Sequence, residues 1–263
     1  PSRSSAASDV YKRQLEYRQL INHPRLKTAW LHAGGNEFGR LFQGMNDTKG
    51  IERVKGTNTC FWIPKHMVPR DKKVTYPRIV CDEKPDKDEV NRVRITAQGQ
   101  LLEYLGDVAT ETAGLTTTKI LFNSVLSTAH AKFMALDISN MYLNTHLKDF
   151  QYMKFRLNII PQDVIDQYNL LDLVDKDGWV YCEIRKAIYG LKESGKLANI
   201  QLKKVLANAD YHPCRFTHGL YRHKTRPIAF SLVVDDFGVK YTNKCDAEHL
   251  LSVLSAKYPM KAD

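Results

Sequence analysis

The chain is short of the features that mark a function at sight. Its five cysteines, Cys60, Cys81, Cys182, Cys214 and Cys245, are odd in number and scattered, with no two at metal-ligand spacing. That argues against a disulfide framework or a close-knit zinc site and fits a reducing, intracellular setting. The nine histidines form no paired helical motif, and His212, Cys214 and His218, though close in sequence, read as loop residues. No apolar run approaches the roughly 18 residues that span a bilayer, and no signal-peptide pattern opens the chain, so no membrane partner is expected. Internal repeats are lacking. The first residue is Pro1 and not Met, which reads as a fragment or a processed product. Residues 1–14 are small, polar and without period; they look like an adaptor-derived prefix and are left out of the fold argument.

Acidic residues are also in the minority. The 263 residues carry 39 Lys and Arg against 29 Asp and Glu, a formal net charge of +10. Such an excess favours a polyanionic partner, nucleic acid before an anionic membrane. Hydrophobic residues make up 43%, enough for a globular chain with a substantial core.

Two stretches stand out. In Ile228–Tyr241 apolar, β-favouring residues run up to Asp235 and Asp236 and then resume at Phe237, Val239 and Tyr241, which predicts a hairpin turning at the aspartates. Alone, an Asp-Asp pair is an ordinary surface turn. In Lys132–Ile138 a single carboxylate, Asp137, interrupts another short apolar run. A charge in a buried strand is costly unless paired, and a divalent cation shared by Asp137 and the Asp235/Asp236 pair removes that cost.

The hairpin resembles the Val-Asp-Asp signature of reverse transcriptases. Asp137-Ile-Ser-Asn-Met-Tyr-Leu-Asn144 looks like the other aspartate motif of copia-like LTR retrotransposon polymerases, and Lys186-Ala-Ile-Tyr-Gly-Leu-Lys-Glu-Ser194 is similar to their ALYGLKQS segment. Arg92-Val-Arg-Ile-Thr-Ala-Gln-Gly99 looks like their KARLVARG element. The resemblance runs from about Leu15 to Asp263. It implies a fragment of a Gag-Pol polyprotein: fingers over about 50–130 and palm over about 131–263, with thumb, connection and ribonuclease H absent. The implied activity is RNA-directed DNA polymerisation, with an RNA template, a DNA primer and deoxynucleoside triphosphates as partners. Integrase and ribonuclease H are expected in the parent, which resides in a cytoplasmic virus-like particle or the nucleus. The alternative is a truncated or decayed remnant that binds nucleic acid without catalysis.

Nucleotidyl transfer is positioning and charge neutralisation more than covalent work by the protein. Two Mg²⁺ (or Mn²⁺) ions about 3.5–4 Å apart activate the primer hydroxyl and stabilise the leaving pyrophosphate. By resemblance, Asp137 and Asp235 are the principal ligands, Asp236 the third, and the Ile138 carbonyl completes a shell. The same resemblance sets Tyr142 beneath the sugar, where a ring excludes a 2′-hydroxyl, and places Tyr189 and Gly190 in the nucleotide pocket; Lys192 reads either as reaching a phosphate or as lying in solvent. Ordinary core packing is the competing reading of Tyr142. Strand alternation puts Arg92 and Arg94 on one face, and guanidinium forks suit phosphate oxygens; the family's element faces the triphosphate. The dense run Lys65, Arg70, Lys72, Lys73 and Arg78 reads either as a phosphate-contacting surface or as a solvated hairpin. The sequence departs from the family at Val233, Glu193 and Gly195, where Tyr, Gln and Pro are usual.

Along the chain, Gly34-Gly35 is expected to split Leu15–Gln43 into two short helices. Residues 46–59 read as a loop, Cys60–Ile63 and Val74–Cys81 as strands, and 116–127 as a Thr-capped helix with Ile120, Leu121, Ser124 and Val125 on one face. An irregular insert containing Pro161 should lead to a hairpin turning at Lys176–Gly178. A helix over about 194–209, with Leu197, Ile200 and Val205 inward, and a last helix capped by Asp246 complete the pattern. The order predicts an α+β fold, a mostly antiparallel sheet with helices packed on one side.

Overall fold

The computed structural model describes residues 15–86 and 89–262; the prefix, residues 1–14, lies outside them. The fold is mixed α+β. In chain order the elements are α1 (Tyr17–Leu20), α2 (Lys27–Leu41), β1 (Met45–Asn46), β2 (Glu52–Val54), β3 (Cys60–Ile63), β4 (Val74–Thr75), β5 (Pro77–Glu83), β6 (Asn91–Ala97), α3 (Leu115–Leu126), β7 (Lys132–Ile138), β8 (His146–Arg156), α4 (Gln162–Gln167), β9 (Trp179–Lys186), α5 (Ser194–Ala207), β10 (Tyr211–Pro213), β11 (Leu220–His223), β12 (Ile228–Val233), β13 (Asp236–Tyr241), α6 (Lys244–Ser255) and β14 (Met260–Ala262). They gather into two compact units that no single cut separates: residues up to Leu105 with His146–Ser194, and Gly106–Thr145 with the residues from Gly195 on.

In the first unit a four-stranded sheet has the order β3-β9-β8-β4, antiparallel except for the β4–β8 pair. One face meets α2 through aromatic packing: Phe42 stacks on Trp62 at 4.2 Å, and Phe38 meets Phe155 at 5.4 Å. Helix α2 runs unbroken through Gly34 and Gly35, contrary to the expected break. The glycines serve close approach: a Cβ at 34 would overlap the Tyr17 hydroxyl, and one at 35 would lie 2.8 Å from the Arg53 guanidinium. The expected insert before residue 173 contains the long strand β8 and helix α4, so β9 pairs with β8 and β3 and not with a neighbour just before the turn. Residues 46–59 hold the small β1–β2 hairpin. Val74–Cys81 divides at Tyr76: β4 joins β8, whereas β5, opened by Pro77, pairs with β6.

The second unit is built on a six-stranded antiparallel sheet, β10-β11-β12-β13-β7-β14. Leu136, Ile138, Phe230, Leu232, Phe237 and Val239 form a core with Ala198, Leu202 and Leu206 of α5 and Leu250 and Leu254 of α6. Ile200, expected inward, is 53% exposed; the α5 stripe runs through 198, 202 and 206, the spacing of one helical face. The helices do not all share one side of the sheet. Phe122 of α3 packs edge-on against Phe133 at 5.0 Å, on the alternate residues of β7, and Lys240 of β13 donates to the Ser124 carbonyl at 2.9 Å and to the Thr128 hydroxyl at 2.7 Å. Gly114, and not a threonine, occupies the N-cap of α3, and Ile120 is exposed. Asn243 is the N-cap of α6. Asp246 lies one turn in, buried and paired with Arg226 at 2.8 Å, an acidic first-turn residue of the kind the helix dipole favours. Strand β14, unforeseen, adds an edge beside β7.

Candidate functional site

The second unit holds the aspartates. Strands β12 and β13 pair from Ile228↔Tyr241 to Val233↔Asp236, leaving Val234 and Asp235 as the turn. Strand β13 continues onto β7 in a register that sets Asp236 directly opposite Asp137. Antiparallel neighbours of this kind have Cβ atoms about 4.5–5.5 Å apart. Burial and the nearby Asp137 raise the Asp236 carboxyl above its ordinary value. The turn is anchored to β7, since the Ile138 N–H donates to the Asp235 carbonyl at 3.1 Å. Val234 has φ +59°, a conformation that L-residues with branched Cβ atoms rarely adopt.

Just past Ile138 the chain reverses at Asn140, whose φ of +54° suits an asparagine. The Asn144 amide donates to the Asn140 carbonyl at 3.1 Å, and this turn presents Tyr142. Tyr142 is half-buried against the core of the unit; burial, then the charge of Asp235, raises its hydroxyl above the ordinary range. Asp235 thus neighbours Tyr142, whereas Asp236 neighbours Asp137. Among the described residues no group of three or more His, Cys, Asp or Glu side chains is arranged to hold a metal ion.

A shallow depression beside the pair is lined by Asp137, Asp236, Lys261, Ser231, Val233 and Thr118. Lys261 was not foreseen. It lies on β14 in register with Asp137, an exposed cation beside two carboxylates. Its signal in the sequence is weak, because β14 is only three residues long, too short for any periodicity to declare a strand.

The first unit holds the other candidates. On β6, Val93, Ile95 and Ala97 are buried, and Arg92 and Arg94 share the opposite face as alternation required. Burial, then Arg94, lowers the Arg92 pKa. Arg94 lies over the Tyr189 ring at 5.3 Å. Gly190, at φ +94°, is needed for close approach, because a Cβ there would overlap the Ala97 carbonyl; the Ala97 N–H donates to the Tyr189 carbonyl at 2.8 Å. Lys192 donates to the Leu102 carbonyl at 2.9 Å. In the basic run, Lys65 pairs with Asp175 at 2.8 Å, Lys72 with Asp149 at 2.5 Å, and Lys73 with Glu103. Arg70 and Arg78 are exposed.

No protein-family model matches the chain, and no curated protein matches it. Among solved structures the chain is similar to telomerase from Candida albicans, solved in complex with a TWJ fragment of telomeric RNA, at a TM-score of 0.43 and 10% identity. The similarity covers 78% of this chain and 43% of that one, so the chain spans less than half of its length. No helix among the described residues is long and apolar enough to cross a membrane.

Proposed function

We propose that the chain is a reverse-transcriptase fragment of the copia-like type, the fingers and palm of an RNA-directed DNA polymerase. The observation that carries this reading is the register Asp137↔Asp236, with Asp235 in the adjoining two-residue turn. Residues far apart in sequence thereby bring carboxylates together; the Asp236 carboxyl is raised first by burial and then by the charge of Asp137, a like-charge proximity that a cation relieves. The donor set suits Mg²⁺, which takes hard oxygens and keeps water and substrate phosphates in its shell, so the protein need supply only part of the shell before substrate arrives. When bound, two such ions supply activation of the primer hydroxyl and neutralisation of the leaving pyrophosphate. In this reading Asp137 and Asp235 are the principal ligands, Asp236 and the Ile138 carbonyl complete the set, and Tyr142 bars a 2′-hydroxyl. Arg92, Arg94 and Lys192 attract the triphosphate, Tyr189 and Gly190 shape its pocket, and RNA template and DNA primer are the macromolecular partners.

The second reading is a remnant that binds nucleic acid without catalysis. The discriminating experiment is Mg²⁺-dependent, RNA-templated extension of a DNA primer. Asp137→Asn and Asp235→Asn abolish synthesis, because the amide is nearly isosteric but lacks the charge that holds the ion. Tyr142→Ala leaves synthesis intact and admits ribonucleotides. An Asp235→Asn rate within a few fold of the parent, about 1 kcal/mol of barrier, contradicts the two-metal reading.

A further inference from the structure

Strands β5 and β6 form a two-stranded sheet, and a ribbon of two strands is marginal unless something else holds it. The outer edge of β6 is held at two points. The Ala97 N–H donates to the Tyr189 carbonyl at 2.8 Å, and the Ile95 N–H donates to the Glu37 carboxylate of α2 at 3.2 Å. Residues 95 and 97 are alternate members of the strand, so both N–H groups leave the same edge, away from β5.

Glu37 is costly to bury. It is 6% exposed, and burial pushes its carboxyl up against the opposing pull of Arg40, the Ile95 N–H and Arg92. A carboxylate in such a place needs both oxygens occupied. One accepts from Ile95; the other accepts from Arg40 at 2.5 Å. Arg40 gives another N–H to Glu89 at 3.0 Å, and Glu89 accepts from the Asn36 amide at 2.8 Å. Asn36 and Arg40 stand one turn apart on α2, as neighbours on a helix surface do, so Glu89 ties them together beside Glu37. This network holds two carboxylates and one guanidinium. The charge left over faces Arg92, on which Glu37 and Arg40 both act. The two arginines of β6 thus have separate supports. Tyr189 takes the Ala97 N–H and lies under Arg94; Glu37 takes the Ile95 N–H and neighbours Arg92.

We propose, resting on the reading of Arg92 and Arg94 as triphosphate ligands, that Glu37 is a positioning residue for them: by clamping the edge of β6 it fixes where the two guanidinium groups stand. Guanidinium forks meet phosphate oxygens in a fixed geometry, and a displacement of about 1 Å is enough to matter. The clamp works by reach, not by charge. Aspartate keeps the charge but withdraws the oxygen from the Ile95 N–H by about 1.5 Å, one carbon–carbon bond. Glutamine loses the charge but keeps the reach and an acceptor oxygen. Because the arginines hold the phosphates alike before and during the reaction, displacing them raises KM and leaves kcat.

The test compares the parent, Glu37→Asp and Glu37→Gln in RNA-templated extension of a DNA primer with dTTP, together with amide exchange in β6. Near-ultraviolet circular dichroism checks the folding of each. Glu37→Asp raises the KM for dTTP about tenfold, keeps kcat within about twofold and speeds exchange in β6. Glu37→Gln keeps KM, kcat and exchange near the parent's. Glu37→Ala, which also lacks the reach, matches Glu37→Asp in KM and serves where the shorter acid does not fold. A residue acting through its charge gives the reverse order, aspartate like the parent and glutamine impaired. A residue that only supports the fold gives no separation of KM from kcat. Either result overturns the inference. A parent that extends the primer, with every variant matching it, overturns the inference alone; a parent that extends no primer overturns the polymerase reading and the inference with it.

Discussion

Val234 carries φ +59° in the two-residue turn beside Asp235. A branched side chain held there costs about 1–3 kcal/mol. Strain stored next to paired carboxylates fits a turn kept for placing Asp235. Val234→Gly should raise unfolding stability by roughly 1 kcal/mol in urea titrations; unchanged or lowered stability would dismiss the strain. Asp236 makes a pH-dependent companion. Its carboxyl is raised by burial and by Asp137, so the folded protein binds that proton more tightly than the unfolded chain. Its contribution is therefore full below the ordinary aspartate range and declines as pH rises through the raised value. Asp236→Asn should be slightly more stable than the parent at neutral pH, and the difference should vanish in acid. The effect is small because the residue is exposed. A variant less stable at pH 7 would mean that the two carboxylates do not oppose each other.

At the scale of elements, the contact between α1 and α2 turns on one atom. The Tyr17 hydroxyl is buried without a hydrogen-bond partner among the described residues, and it fills the space a Cβ at Gly34 would need. In an exposed helix Gly34→Ala would gain about 1 kcal/mol; here overpacking should cost about 1–3 kcal/mol. Tyr17→Phe removes the unsatisfied hydroxyl and most of the overlap. The double variant should thus lose less than Gly34→Ala alone, and simple additivity in thermal unfolding would refute the clash. Helix α3 depends on Lys240, whose ammonium binds the Ser124 carbonyl and hydroxyl and the Thr128 hydroxyl. A cation at a helix C-terminus meets the negative end of the dipole. Lys240→Met should cost about 1.5–3 kcal/mol and raise amide exchange in α3 before that in β12 and β13. Protection unchanged in α3 would show that its packing on Phe133 is sufficient.

For the whole molecule the dominant quantity is charge. A net +10 should give salt-sensitive, sequence-independent binding to an RNA–DNA duplex, with about −0.9 in log-log slope for each phosphate neutralised. Filter binding between low and moderate salt reads this directly, and an affinity that does not move contradicts it. Because Lys65, Lys72 and Lys73 are engaged by carboxylates, neutralising them singly should change the slope less than neutralising Arg70 or Arg78.

By itself the sequence determined the elements whose pattern is strong and local. Strand β7 and the β12–β13 hairpin follow from short apolar runs, and the face shared by Arg92 and Arg94 follows from a period of two, because alternation is a property of the strand backbone. The placing of Asp137 opposite Asp236, and of Asp235 near Tyr142, is tertiary: it depends on which strands become neighbours and in what register. The same holds for β14 and Lys261, too short to signal, and for Gly34, where a helix-breaking residue proved to be a packing residue once Tyr17 was placed against it. Tertiary structure also decided which cations remain available. In the basic run Lys65, Lys72 and Lys73 each meet a carboxylate remote along the chain, whereas Arg70 and Arg78 stay exposed, and Lys154 drew no attention until the fold set it over three rings.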